Sequence, residues 1–150
     1  MKICILATFP NPNLPHTLKG GYRRTTELLK VLSRSHEVRL LVATPSRPWR
    51  LDLPYCSRVD VVSASLPIQG LRVSALLAGI CRSHDVLLVY NPTLRTLPAL
   101  LAHLTPCALV IDYVDIQGTE VYKRRLFRYL SVVAERLMFC LLYTSPSPRD

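Results

Sequence analysis

Few residues of the chain have the types and spacing that could do chemistry, and they fall in three short segments. Leu109-Val110-Ile111-Asp112-Tyr113-Val114-Asp115 carries two carboxylates at the end of an apolar run. Carboxylates at such a position accept hydrogen bonds from sugar hydroxyls or act as a general base. The alternative is that Asp115 caps the following turn and Asp112 bonds backbone amides. Gly20-Gly21 stands where a helical pattern begins, beside Lys19, Arg23 and Arg24. Glycine lets a ligand come close to the backbone, and a helix N-terminus offers unpaired N–H groups and partial positive charge. A phosphate or an acidic sugar group suits that arrangement; a plain structural turn is the other reading. His16 lies in the same loop, Asn91 follows one further apolar run, and Tyr113 stands between the two carboxylates. The candidate set is therefore Asp112 and Asp115 as catalytic, Gly20, Gly21, Arg23 and Arg24 for the phosphate-bearing co-substrate, and His16, Asn91 and Tyr113 for the other substrate.

Several chemistries are excluded. There is no GxGxxG fingerprint of a dehydrogenase-type dinucleotide site and no GxxxxGK[ST] phosphate loop. No two of the five cysteines (Cys4, Cys56, Cys81, Cys107, Cys140) are near enough in sequence for a CxxC pair. Cys4 and Cys107 lie in or beside apolar runs and read as small core residues. His16, His36, His84 and His103 show no metal-ligand spacing, so no bound metal is expected. His36 and His84 each precede an acidic residue and a strand, as turn residues at strand amino ends do. The first strand ends in Ala7-Thr8, not in the acidic cluster of a phospho-receiver. An odd number of widely spaced cysteines and the lack of a signal-peptide pattern point to a reducing compartment, the cytoplasm.

These residues need elements to hold them. Ile3–Ala7 is a continuous apolar run, as in strands buried on both faces. A Pro-rich loop leads to a helix over about Tyr22–Ser33, with Tyr22, Thr25, Leu29 and Leu32 on one stripe. Strands are expected at Val38–Ala43, Val59–Val62, Asp85–Tyr90 and Ala108–Tyr113. Pro67-Ile68-Gln69-Gly70 reads as a turn, Leu71–Cys81 and Leu94–His103 as helices. Thr119 caps a long helix through Phe139, whose face of Tyr122, Leu126, Tyr129, Leu130, Val133 and Leu137 is expected to pack on the sheet. Strands alternating with helices give an α/β class, a doubly wound, mostly parallel Rossmann-like sheet. In such a sheet ligands bind beyond the carboxyl ends of the strands. The loops there are Thr8–Gly21, Thr44–Arg50, Tyr90–Thr93 and Tyr113–Thr119, which hold or border the candidates above.

The chain has 150 residues, 49% of them hydrophobic and 19% charged, enough apolar material for a core and too much for intrinsic disorder. No apolar run approaches the ~20 residues of a membrane helix. The formal charge of +9 suggests an acidic partner, such as phosphates, nucleic acid or an anionic membrane surface; that it only aids solubility is the other reading. It concentrates in Lys19–Arg34 and in Lys123, Arg124, Arg125, Arg128 and Arg136. Tyr122-Lys-Arg-Arg-Leu-Phe-Arg-Tyr129 mixes basic and aromatic residues in a way that suits anionic lipid headgroups.

Met1-Lys-Ile-Cys-Ile-Leu-Ala-Thr8, Gly20-Gly21-Tyr-Arg-Arg24 before a helix, His36-Glu37-Val38 before a strand, Asp85-Val-Leu-Leu-Val-Tyr-Asn-Pro92 and Leu109–Asp115 occur in this order. Together they resemble the amino-terminal domain of a GT-B glycosyltransferase of the family 4 (group 1) type, over about residues 1–139. The resemblance implies two Rossmann-like domains facing across a cleft. The amino-terminal one takes the acceptor, a glycan or a lipid-linked molecule. The carboxyl-terminal one takes a nucleotide-diphosphate sugar and carries a Glu, seven residues, Glu motif. No bound cofactor or metal is implied. Gly20 and Gly21 would line the cleft near the donor phosphates, and the Asp112–Asp115 loop would face the acceptor. Location at the inner membrane face, as a peripheral protein, is implied as well. Residues 140–150, Cys-Leu-Leu-Tyr-Thr-Ser-Pro-Ser-Pro-Arg-Asp, resemble residue for residue one reading frame of a transposase adapter used for sequencing libraries. An ordinary Ser/Pro linker is the other reading of that tail. The expected organisation is thus a truncated acceptor-side domain over 1–139, inactive by itself, and an adapter-derived tail over 140–150. A nucleotide-sugar epimerase of GT-B fold, or a basic α/β module that binds membrane or nucleic acid without catalysis, are the alternatives; nucleic acid is the less expected partner.

Overall fold

A computed structural model of the chain describes residues 1–8, 21–44, 55–90, 93–112 and 125–144. Its strands are β1 (Lys2–Thr8), β2 (Glu37–Thr44), β3 (Arg58–Ser63), β4 (Val86–Tyr90) and β5 (Ala108–Asp112). Three α-helices, α1 (Gly21–Leu32), α2 (Leu66–Ser83) and α3 (Arg125–Thr144), and a 3-10 helix (Leu97–Leu104) accompany them. The strands form one sheet in the order β3-β2-β1-β4-β5 with every pairing parallel. The protein is α/β, Rossmann-like and doubly wound.

The physical cause starts at β1. Parallel neighbours need crossover connections, and the crossovers cover both faces of the sheet. Ile3 to Ala7 are accordingly all buried. Ile3, Ile5 and Ala7 share one side with Val38, Leu40 and Leu29 of α1. Cys4 and Leu6 share the other with Leu77 and Ile80 of α2, Ala99 of the 3-10 helix and Met138 of α3. Leu29 and Leu77 are fully buried, each worth about 1.5–3 kcal/mol in removal of apolar surface from water. At the amino edge the Asp85 carboxylate accepts the Lys2 backbone N–H at 2.7 Å. His84 ends α2 there, its N–H donating to the Ile80 carbonyl.

Three elements differ from the sequence expectation. The segment Pro67–Gly70 is not a turn but the opening of α2. Proline is tolerated in a first helical turn because its missing N–H would have no partner there. Leu94–His103 is not α-helical; a turn leads into a 3-10 helix that begins at Leu97, just before Pro98. The expected packing face of α3 is wrong in its residues. Leu126, Tyr129, Leu130 and Leu137 are exposed, while Ser131, Ala134 and Met138 are buried. The small Ser131 and Ala134 permit close approach, so spacing alone selected the wrong one of two stripes. Thr119 and Tyr122 lie outside the described residues. α3 crosses the Phe139–Cys140 junction without a break and ends at Thr144, close to Pro146, which disfavours helix in the residue before it.

Three cysteines join the core. Burial pushes the Cys4 and Cys107 thiols up to about 12 from the ordinary 9.0; burial raises Cys81 too, and its thiol hydrogen-bonds with that of Cys107. The unfolded chain therefore loses these protons first, and stability falls as pH rises from 9.0 toward about 12. Urea denaturation across the alkaline range should give a slope that Cys4→Ala flattens by up to about 1.4 kcal/mol per pH unit. An unchanged slope would refute the burial argument.

Candidate functional site

The carboxyl edge is where strand order reverses. The chain winds from β1 through β2 to β3 on one side, then returns to β4 and β5 on the other. The switch point lies between β1 and β4, the location at which open α/β sheets take ligands.

On the α1 face three groups meet at this edge. Tyr90 ends β4 and is in register with Ala7 of β1 and Asp112 of β5. Its ring is buried among Ile5, Leu40 and their neighbours. Arg24, in the first turn of α1, donates from Nη2 to Oδ1 of Asp112 at 3.0 Å. The Arg24 side chain is about half exposed, whereas that of Asp112 is only 24% exposed. A pair this open to water contributes at most about 1 kcal/mol to stability, so its consequence is orientation. Asp112 keeps a defined direction and, with two oxygens, further capacity to accept hydrogen bonds. Arg24 keeps most of its five donor hydrogens for another acceptor. Burial raises the Tyr90 phenol pKa; nearby Arg24 opposes that rise and Asp112 adds to it.

On the α2 face the edge is held by Gln69, a residue with no exposed surface. Its Nε2 donates to the carbonyl of Thr44 at the end of β2 and to that of Val62 near the end of β3, both at 2.8 Å. Its Oε1 accepts from Nη1 of Arg95. Arg95 sits in the turn after β4, which is closed by the Thr93 N–H donating to Thr96 Oγ1 at 2.7 Å and by the Thr96 hydroxyl donating to the Thr93 carbonyl at 2.9 Å. Removing the Gln69 amide would take one hydrogen bond from each of two buried strand-end carbonyls, at about 0.5–1.5 kcal/mol apiece.

Two candidates that entered on separate grounds, Arg24 for phosphate and Asp112 for catalysis, are thus joined directly. Gly21 opens α1 and Arg23 follows in its first turn. His16, Gly20, Asn91, Tyr113 and Asp115 lie outside the described residues. Tyr90, Gln69 and Arg95 were missed. Tyr90 reads as a strand residue, Gln69 fell in the supposed turn and Arg95 in the supposed helix. The one usable signal was Pro67, a helix-start residue two positions before Gln69. Among the described residues no group of three His, Cys, Asp or Glu side chains could hold a metal ion, and no helix is long and apolar enough to cross a membrane. No protein-family model, no curated protein and no solved structure matches the chain.

The electrostatics of Tyr90 provide a check on this geometry. Arg24→Gln should raise the Tyr90 phenol pKa further, and Asp112→Asn should lower it. Ring-carbon NMR shifts followed through an alkaline titration report both changes; movement in the opposite directions would contradict the arrangement.

Proposed function

We propose that the chain is the acceptor-side domain of a two-domain glycosyltransferase that transfers a sugar from a nucleotide-diphosphate sugar to a glycan or lipid-linked acceptor. The observation that carries this reading is the Arg24–Asp112 pair at the carboxyl ends of α/β strands beside the switch point. The order of sequence segments that resembles family 4 GT-B enzymes adds to it.

On this reading Asp112 accepts a hydrogen bond from the acceptor hydroxyl and takes its proton as the bond to the sugar carbon forms. Arg24 holds that carboxylate in place and turns its remaining N–H groups toward the donor phosphates. Charge grows on the departing nucleotide diphosphate, and preorganised cations are the usual means of stabilising it. Gly20, Gly21 and Arg23 complete the phosphate side, Asp115 is the second carboxylate, and His16, Asn91 and Tyr113 contact the acceptor. The donor is held mainly by a second domain, so the 150-residue chain by itself transfers nothing. The protein works in the cytoplasm at the inner membrane face. The exposed Leu126, Tyr129, Leu130 and Leu137 of α3, with exposed Arg136 beside them, support contact with anionic lipid there.

The test is transfer of radiolabelled sugar from a panel of UDP- and GDP-sugars to membrane-derived acceptors. The 150-residue chain should give no transfer above a buffer blank. A protein that carries these residues together with a donor-binding domain should transfer, and Asp112→Asn in it should lower kcat by about 10²–10⁴-fold. Transfer by the short chain, or full kcat in Asp112→Asn, would overturn the proposal.

A further inference from the structure

We propose that the groove between α2 and the 3-10 helix takes the hydrocarbon chain of an anionic lipid, with the headgroup at the carboxyl edge of the sheet. Both walls begin at that edge. α2 starts three residues after β3, and Leu94 follows β4 by four. Val73 and Leu77 of α2, and Ala99 and Ala102 of the 3-10 helix, seat the two elements on the sheet. Outside those contacts a cavity of about 690 Å³ remains, with Leu66, Leu94, Leu97 and Leu101 in its walls. Ser74 and His103 bring polar side chains to it. The volume lies within the roughly 300–1,000 Å³ of small-molecule sites. Leu71 and Leu104 also line it, and they are 74% and 82% exposed. Apolar surface of this kind gains by being covered.

Gly70 is the second observation. It stands in the groove wall and inside α2, where glycine is a poor helix residue. A Cβ at Gly70 would meet no atom within 4 Å. Packing within the chain therefore does not require the glycine; it leaves the groove open for another molecule. Gly79 is equally open but lies outside the groove, so it serves as a matched control.

Charge selects the occupant. α2, the 3-10 helix and α3 cover the same side of the sheet, through Leu77, Ala99 and Met138. Their sequences hold Arg72, Arg82, Arg125, Arg128 and Arg136, with Glu135 as the sole acid. Arg72, Arg82 and Arg136 are exposed. A second copy docked symmetrically through this side would set like charges against each other. Nucleic acid would bring phosphates but leave the leucines uncovered. An anionic lipid brings both an acidic headgroup and a chain. The hydrocarbon site is independent of the glycosyltransferase reading. Its consequence for the acceptor rests on that reading: the headgroup lies at the edge that holds Arg24 and Asp112, so the acceptor is lipid-linked, not a free glycan.

The experiment is titration calorimetry of the 150-residue chain with octyl, decyl and dodecyl phosphate, each below its micelle concentration. Binding should saturate at one per chain and tighten about fourfold for each added methylene. Gly70→Leu should weaken dodecyl phosphate by about tenfold or more at undiminished Tm, and Gly79→Leu should not. If Gly70→Leu does not fold, Leu104→Glu decides: its site is exposed, and it too should bind about tenfold more weakly. Phosphatidylglycerol vesicles should sediment the chain, and phosphatidylcholine vesicles should not. No binding, affinity indifferent to chain length, or full affinity in the deciding variant would overturn the groove. A dimer that Gly70→Leu dissolves, seen by light scattering, would assign the groove to a second copy and overturn the proposal. Binding of alkyl phosphates without sedimentation on phosphatidylglycerol would overturn the membrane-lipid assignment. No sugar is transferred in these measurements, so failure of the groove is distinguishable from failure of the transferase reading.

Discussion

β1 must be dry on both faces and paired on both edges, and the rest of the architecture follows from that demand. Five consecutive buried residues, Ile3 to Ala7, need cover from two directions. α1 supplies one side; α2, the 3-10 helix and α3 supply the other. A chain that covers both faces has to reverse its direction of winding across the sheet, and the reversal falls beside β1 itself. The core and the cleft are therefore two results of the same constraint. Apolar side chains close the two faces, and the carboxyl ends of the central strands are left at the edge beside the switch point.

That edge is polar by necessity. Strand carbonyls run out of ladder partners there, and an unmet buried carbonyl is costly. The chain meets the need differently on the two faces. Gln69 donates to two strand ends at once on the α2 side, and this has a by-product: its own oxygen needs a donor, which Arg95 provides. On the α1 side the last residue of β5 is itself an acid, and Arg24 answers it. Structural satisfaction of the edge thereby leaves the Arg24–Asp112 pair oriented beside the switch point.

Much of the fold was legible because buried parallel strands announce themselves as unbroken apolar runs. β1, β2, β3, β4 and β5 were each expected within two residues of their observed ends. Helix faces were harder. α1 has one apolar stripe and its Leu29 is buried as its spacing implied. α3 has apolar residues on more than one side, and periodicity cannot say which side meets the core. The choice went to the larger residues, yet close packing favoured Ser131 and Ala134. Site residues divided in the same way. Asp112 and Arg24 stood at element ends where motif and charge mark them. Gln69 could not be recognised, because its importance comes from two carbonyls 25 and seven positions away in sequence. A lone Gln carries no mark of that in one dimension.

We propose this chain as the acceptor-side half of a sugar-transferring enzyme. The most direct test is to sequence the source reading frame past position 139 through roughly another 200 residues, the length of one further domain. On that proposal the adapter-like residues are absent there, and a second strand–helix alternation appears with two Glu separated by seven residues. A frame that closes without a second Rossmann-like unit, or that continues with no such Glu pair, would contradict it.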